Sequence, residues 1–219
     1  MAIAASFVLG VAIASPFWWA LLVRLVRPAL GVAGPDPSVA SLVELWPAIL
    51  TVSGAAWGGV VGYDLRRRWS AVVSGAIAGA AGNGAFALAI VMGPAHEALA
   101  ASLPGALAER FVLLLPILVG LVAGGNAFAL ALAVGAPRRA VRALLVGAAG
   151  ALLSAFVIVA LAYAIGVRVG SGDAVMARMT APALTAAALV AGSLIAWTLR
   201  QGVEPRDERF TRAERVHQP

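Results

Sequence analysis

The sequence predicts an all-α protein, a polytopic integral membrane bundle of six transmembrane helices, and two bulk observations carry this prediction. Of the 219 residues, 62% are hydrophobic and only 12% are charged, and the mean hydropathy is +0.94. A typical soluble domain is about 45–50% apolar and about 25% charged. The chain therefore has too little polar surface to cover a soluble globule, which excludes a soluble enzyme.

The third observation is the length of the apolar stretches. A hydrocarbon core about 30 Å thick requires about 20 apolar residues of helix. The six stretches that meet this requirement are residues 3–26, 42–63, 69–93, 111–135, 141–166 and 181–199. We therefore expect one membrane domain over residues 1–200, followed by a charged cytoplasmic tail over residues 201–219.

The first stretch is expected to be a membrane helix that is retained. It lacks the positively charged start of a signal peptide, because its first basic residue is Arg24. Pro16 in the first span and Pro116 in the fourth are expected to bend their helices, since proline leaves a backbone carbonyl without its donor. Pro47 and Pro182 lie near the predicted N-termini of the second and sixth spans, where proline is tolerated.

Spans two and three resemble spans four and five. Pro47 precedes the sequence Gly79–Gly82 by 32 residues, and Pro116 precedes the matching sequence Gly147–Gly150 by 31 residues. The match favours a repeated helical hairpin in one orientation, an arrangement that some transporters use. The alternative is that Ala/Gly-rich helices joined by short Arg-containing turns match through composition alone.

The distribution of Arg predicts the orientation of the bundle. All sixteen basic residues are Arg, and the predicted topology places eleven of them on one side of the membrane, including both short turns at Arg66–Arg68 and Arg138–Arg142. Basic residues in short loops mark the cytoplasmic side. We therefore expect a multi-pass protein of the cell (inner) membrane with both termini in the cytoplasm. The bilayer is its expected surrounding, and we do not expect nucleic-acid binding.

Two Asn residues are the strongest candidates for a polar site. Asn83 and Asn126 are the only Asn in the chain, and both lie well inside predicted spans. A carboxamide that faced lipid would leave its donors and acceptors unsatisfied. Their depths, about 21 Å and about 14 Å from the cytoplasmic end at about 1.5 Å per residue, suggest that they line one cavity without touching. The alternative is an interhelical hydrogen bond. Ser154 is a weaker candidate for the same cavity.

The sequence around the two Asn residues is also similar, with Gly82-Asn83 and Gly125-Asn126 each followed by an Ala/Phe/Leu run. We attribute this second similarity to composition, because it pairs antiparallel helices and conflicts with the hairpin alignment.

Small residues recur every four positions and predict close helix packing. One such set lies on spans two and three, at Gly54, Gly58 and Gly62 and at Gly75 and Gly79. The other is a ridge on the first span, formed by Ala2, Ser6, Gly10 and Ala14. Because a terminal helix is peripheral, we expect this ridge to face a partner protein, with packing inside the bundle as the alternative.

No catalytic, cofactor-binding or metal-binding constellation stands out. The chain has no Cys and only two His, so it has no thiolate sites and no bis-His haem ligation within the membrane. Asp64 next to Arg66–Arg68 is best explained as a topology signal. We therefore expect a protein that is not an enzyme and that binds no metal or cofactor.

These features favour a partner-dependent membrane transport component that holds a small, largely apolar solute in a helix-bundle cavity. No Asp or Glu lies at mid-membrane depth and no Walker motif is present, so the energy would come from another membrane subunit. In helix number and size the chain is similar to the substrate-binding components of energy-coupling-factor importers, a similarity of topology only. The alternative is a non-catalytic structural or accessory subunit of a larger membrane protein complex.

Overall fold

The computed structural model describes residues 1–31, 40–92, 105–165 and 173–201, and within these ranges the chain is helical and contains no strand. A short 3₁₀ turn, Pro137–Arg139, precedes the sixth helix. The α-helices are α1 (Ala2–Ile13), α2 (Ser15–Ala29), α3 (Ala40–Arg66), α4 (Trp69–Met92), α5 (Gly105–Ala133), α6 (Ala140–Ala164) and α7 (Asp173–Arg200).

These helices confirm the predicted helical membrane bundle. Among the described residues, five helices, α3 to α7, are long and apolar enough to cross a membrane. Helices α1 and α2 meet the same criterion only as a pair, so the number of spans is six if the bent pair is one span. The predicted tail lies outside the described residues from position 202 onward, and so do most of the predicted outer loops.

The first predicted span is not one continuous helix. The chain breaks at Ala14, and α1 and α2 are inclined at 67° to each other. Pro16 follows the break, and it has no N–H to donate to the carbonyl of Ala12. At the end of α1 the carbonyl of Ile13 accepts a hydrogen bond from the Trp46 indole on α3 at 2.9 Å. The predicted bend at Pro16 is therefore a full break that a neighbouring helix stabilises.

Two prolines of the later helices lie further from the helix starts than the sequence predicted. Helix α7 begins at Asp173, so Pro182 lies well inside it rather than at its start. Helix α3 begins at Ala40, and Pro47 is likewise internal. The length of an apolar stretch predicts how much helix lies in the membrane. It does not predict how far the helix continues beyond the membrane, so the starts of these helices were predicted too close to the prolines. Transmembrane helices tolerate such prolines because neighbouring groups satisfy the freed backbone.

Glycines bring α3 and α4 into backbone contact, as the spacing of small residues predicts. A Cβ atom on Gly58 would overlap the carbonyl of Gly75, and a Cβ on Gly75 would overlap the carbonyl of Gly58. Gly54 and Gly79 form the same reciprocal pair one turn further along, and Gly62 lies against Ala71. Such close approach permits Cα–H···O contacts between helices. The α3–α4 hairpin is therefore the tightest helix pair in the described bundle.

The second hairpin, α5–α6, does not reproduce this contact pattern. Gly79 of the first hairpin packs on Gly54 within its own hairpin. Its counterpart Gly147 instead lies between Ala127 of α5 and Ile195 of α7, 3.1 Å and 3.0 Å from a Cβ built at that glycine. Both segments fold as helical hairpins, but their glycines pack against different partners. The internal repeat stays a prediction.

Two Arg side chains cap the ends of neighbouring helices. Arg66, at the end of α3, donates to the carbonyls of Val134 (3.1 Å) and Gly135 (2.8 Å), just after α5. Arg139 donates to the carbonyls of Thr198 (2.9 Å) and Gln201 (2.8 Å), at the end of α7. The last carbonyls of a helix lack partners within it and attract cations. Both predicted Arg-rich turns and the end of α7 therefore lie at one end of the bundle.

The start of α1 lies at this same end. The backbone N–H of Ala2 donates to the Asp64 carboxylate of α3 at 3.2 Å, and the amino group of Met1 is 4.0 Å from the same carboxylate. A carboxylate at a helix N-terminus satisfies unpaired N–H groups and complements the helix dipole. Asp64 thus holds α1 against the hairpin.

Candidate functional site

A partly open cavity lies among the helices of the bundle, and every described α-helix except α2 contributes to its wall. The volume open to the centres of water molecules is about 60 Å³. One water needs about 10–15 Å³ on this measure, so the cavity has room for a few heavy atoms. The wall is formed by Leu9, Ile13, Trp57, Asn83, Phe86, Val119, Val122, Ala123, Asn126, Ala151, Leu184, Ala187, Ala188, Ala191, Gly192 and Ile195.

Both Asn residues line this cavity, and they touch each other. The Nδ2 of Asn126 donates to the Oδ1 of Asn83 at 3.0 Å. The expectation that the two side chains do not touch was therefore wrong. The depth count assumed that the start of α4 and the end of α5 lie at the same level. In the structure Gly82, which has no side chain, lets the Asn126 carboxamide lie directly against α4. The interhelical hydrogen bond left open as the alternative is present.

The pair is not fully satisfied. Asn83 is only 3% exposed, and its Nδ2 is buried without a hydrogen-bond partner among the described residues. This Nδ2 lies against Gly54, in the space that a side chain on α3 would fill. Asn126 is half-buried. A buried amide that lacks a partner costs about 1–3 kcal/mol, so the site keeps hydrogen-bonding capacity at an energetic cost.

The indole of Trp57 is the other polar group in the cavity wall, and it is already paired. Its Nε1 donates to the Ser6 hydroxyl at 3.0 Å. That hydroxyl donates in turn to the carbonyl of Ala2 at 2.8 Å. No charged side chain contributes to the wall as the described residues define it. The two carboxamides are therefore the polar groups that remain available to a bound molecule.

Ser154 does not belong to this site. Its hydroxyl donates to carbonyls of its own helix, those of Gly150 at 2.6 Å and Ala151 at 3.1 Å, and it is not part of the cavity wall. Hydroxyl groups in helices commonly bond back to the preceding turn. The prediction of a cavity role for Ser154 is therefore corrected.

The small-residue ridge of α1 faces inward, so its predicted role as a partner-facing surface is also corrected. Ser6, Gly10 and Ala14 are buried, and Ala2 is half-buried against the core. A Cβ on Gly10 would lie 2.7 Å from the carbonyl of Thr185 on α7. The ridge lets α1 rest directly on the α7 backbone. The opposite face of α1 is exposed, at Ile3, Phe7, Val8 and Val11.

Sequence reasoning missed the role of Trp57, although its position offered a signal. Unlike Trp46 and Trp69, which lie nearer to span ends, Trp57 lies inside the second predicted span, six residues before its end. Indole groups favour membrane interfaces, so a Trp inside a span indicates a buried partner. The similar Gly-Asn sequences, attributed to composition, occur where the two carboxamides meet.

Comparison with known proteins adds no relative. The chain matches no family model, and no curated protein or solved structure is detectably similar to it.

Proposed function

We propose that this chain is the solute-holding part of a partner-dependent membrane transport component. The observation that carries the proposal is the cavity inside the bundle. Its wall is apolar apart from Trp57, whose N–H is paired, and the Asn83–Asn126 pair. An apolar cavity with a few convergent polar groups is the usual form of a small-molecule site. A small, largely apolar solute fits this wall.

The energy for transport comes from another subunit in this proposal. Ion-coupled carriers generally use an Asp or Glu inside the membrane, and none lines the cavity in the described part of the chain. The sequence also contains no P-loop that would bind ATP. The partner is therefore a membrane-associated subunit that supplies energy.

The bundle end that carries the capping Arg residues faces the cytoplasm of the cell membrane in this proposal. In the described residues this end also exposes Arg67, Arg68, Arg138, Arg142 and Arg200. Uncapped Arg side chains of this kind interact with anionic headgroups and favour the cytoplasmic leaflet.

The test is uptake in cells that lack the chain and are complemented with variants. Ala123 lines the cavity, so Ala123→Leu fills it, while Ala149 is exposed on the outside of α6 and Ala149→Leu is the matched control. Untargeted mass spectrometry would compare the small molecules that each strain accumulates. We expect a compound that accumulates with the wild type and with Ala149→Leu but not with Ala123→Leu. Identical profiles in all strains would refute the proposal.

The second candidate is a structural subunit of a larger membrane complex. In this candidate the contact surface is the exposed apolar face of α1, which includes Phe7 at 51% exposure and Val8 at 63% exposure. This candidate predicts co-purification of other membrane chains that is lost in Phe7→Ser and unaffected by Ala123→Leu. The same strains therefore separate the two functions.

A further inference from the structure

We infer that the cavity selects an uncharged solute that presents one hydroxyl group, on an apolar body whose enclosed part is smaller than benzene, to the carboxamide of Asn126. This inference rests on the proposed function and specifies its solute class. Three features of the cavity support this inference: the charge of its wall, the unused hydrogen-bond donors and acceptors of the Asn pair, and its volume.

The wall excludes a charged solute. No Asp, Glu, Arg or His is among the side chains that form it within the described residues. An ion in such a site would lose its hydration without gaining a counter-ion, a cost of many kcal/mol at low dielectric. A neutral molecule has no comparable cost.

The hydrogen-bond donor and acceptor that a bound molecule can use lie on Asn126. One hydrogen of its Nδ2 is used by the Oδ1 of Asn83, so a second hydrogen remains. Its Oδ1 lies beside Gly82 and accepts no hydrogen bond from the described residues, yet it is not one of the buried atoms that lack a partner, so it stays accessible. By contrast, the unpaired Nδ2 of Asn83 is enclosed against Gly54. Asn126 therefore offers both a donor and an acceptor to a bound molecule.

A hydroxyl group matches this donor and this acceptor, because one hydroxyl both donates and accepts hydrogen bonds. The match does not depend on which carboxamide atom is oxygen and which is nitrogen. If both groups are reversed, Asn126 still has a free N–H and an oxygen with a second lone pair. A purely apolar solute would leave this N–H and this oxygen without hydrogen bonds.

The cavity is partly open, so its volume limits the part of the apolar body that the bundle encloses. The cavity of about 60 Å³ is well under half the roughly 150 Å³ of an engineered apolar cavity that accommodates benzene. A branched alcohol with four heavy atoms, propan-2-ol, is therefore a suitable probe. A probe of this size is expected to bind with a dissociation constant on the order of millimolar, given the limits of ligand efficiency.

The experiment uses the full chain in lipid nanodiscs with ¹⁵N-labelled Asn. Because Asn83 and Asn126 are the only Asn residues, their side-chain amides give a spectrum that reports on the site alone. The probes are propan-2-ol, its positively charged counterpart isopropylammonium, and xenon, which tests for an apolar cavity without hydrogen bonding. Isopropylammonium has a similar size, so it isolates the effect of charge.

We expect saturable shifts of both amides with propan-2-ol, at least tenfold weaker binding of isopropylammonium, and entry of xenon. Xenon entry without propan-2-ol binding would overturn this inference but leave the cavity proposed for function intact. Binding of isopropylammonium as tight as that of propan-2-ol would also overturn it. Failure of both xenon and propan-2-ol to shift the amides would overturn the inference and the proposed function together.

Two variants complete the test. Asn126→Leu is expected to weaken propan-2-ol binding at least tenfold, because both hydrogen bonds to its hydroxyl are lost, and to retain xenon, with Asn83 as the reporter. Ser154→Ala is the control that changes neither. If Asn126→Leu does not fold, Ala123→Leu keeps both carboxamides and is expected to abolish binding of both probes. Unchanged propan-2-ol binding in whichever variant folds would overturn the inference.

Discussion

Asn83 and Asn126 bring two carboxamide side chains into contact inside the bundle. Their hydrogen bond, 3.0 Å long, joins α4 to α5, and the same two side chains line the cavity. Hydrogen bonds between membrane helices contribute about 0.6 kcal/mol on average and at most about 1.7 kcal/mol. The pair is thus a modest structural link that also leaves hydrogen-bonding capacity at the cavity.

Asn126→Leu is expected to destabilise the bundle by about 1 kcal/mol, because it leaves the buried carboxamide of Asn83 without any partner. The double variant Asn83→Leu/Asn126→Leu is expected to lose less than the sum of the single variants, since both partners are then apolar. Thermal unfolding in detergent measures both effects. Additive losses would show that the two side chains are not coupled.

The sequence predicted that both Asn side chains lie inside the bundle better than it predicted their geometry. Two isolated carboxamides inside apolar spans indicated buried partners, and both line the cavity. Their mutual contact was not predictable from helix positions, because it depends on the missing side chain of Gly82. Ser154 could satisfy itself on its own helix, an option that a hydroxyl has and that spacing does not reveal.

At the scale of the helix, glycine contacts and Arg caps determine how the elements pack. The α3–α4 hairpin depends on backbone contact at paired glycines such as Gly58 and Gly75. The ends of α5 and α7 depend on guanidinium groups contributed by other elements. Both devices act between elements rather than within one helix.

Gly58→Ala is expected to destabilise the protein by about 2 kcal/mol, because the new methyl group would overlap the carbonyl of Gly75 and separate the two helices. Gly125→Ala is the matched control. A Cβ at Gly125 meets no atom within 4 Å, so stability should change by less than about 1 kcal/mol. Thermal unfolding of both variants tests this contrast, and equal effects would contradict the close approach of α3 and α4.

Arg139→Ala is expected to loosen the end of α7, because the carbonyls of Thr198 and Gln201 lose their donors. We expect faster hydrogen exchange over residues 197–201 and a loss of about 1 kcal/mol in stability. Arg138→Ala is the control, since Arg138 is exposed and makes no hydrogen bond to the described residues. Unchanged exchange in Arg139→Ala would rule out the cap.

Helix identity followed from the sequence, whereas the break in the first span and the role of its ridge did not. A small-residue ridge is equally compatible with a partner protein and with a neighbouring helix of the same chain. In the structure Gly10 lies against the backbone of Thr185 on α7, and the Thr185 hydroxyl also accepts a hydrogen bond from Trp18 at 3.0 Å. The ridge therefore packs on a helix of the same chain. That contact joins positions far apart in the sequence.

At the scale of the whole molecule, the helix order and the capping contacts place the start of α1, both Arg-rich turns and the end of α7 at one end. The Arg content of this end predicts that it faces the cytoplasm. The chain contains no Cys, so single cysteines can report the sidedness without a background signal.

Arg68→Cys, at the Arg-rich end, is expected to react with a membrane-impermeant maleimide only after cells are permeabilised. Ile165→Cys, at the opposite end of α6 and 79% exposed in the native residue, is expected to react in intact cells. Reaction of both, or the reverse pattern, would contradict the proposed orientation.

The central claim is that the interior cavity binds a small molecule, and native mass spectrometry of the purified protein tests it most directly. Protein released from its source membrane is expected to carry one small molecule per chain in the wild type and in Ala149→Leu, and none in Ala123→Leu. A wild-type protein that carries none, or a molecule bound equally to Ala123→Leu, would contradict the claim.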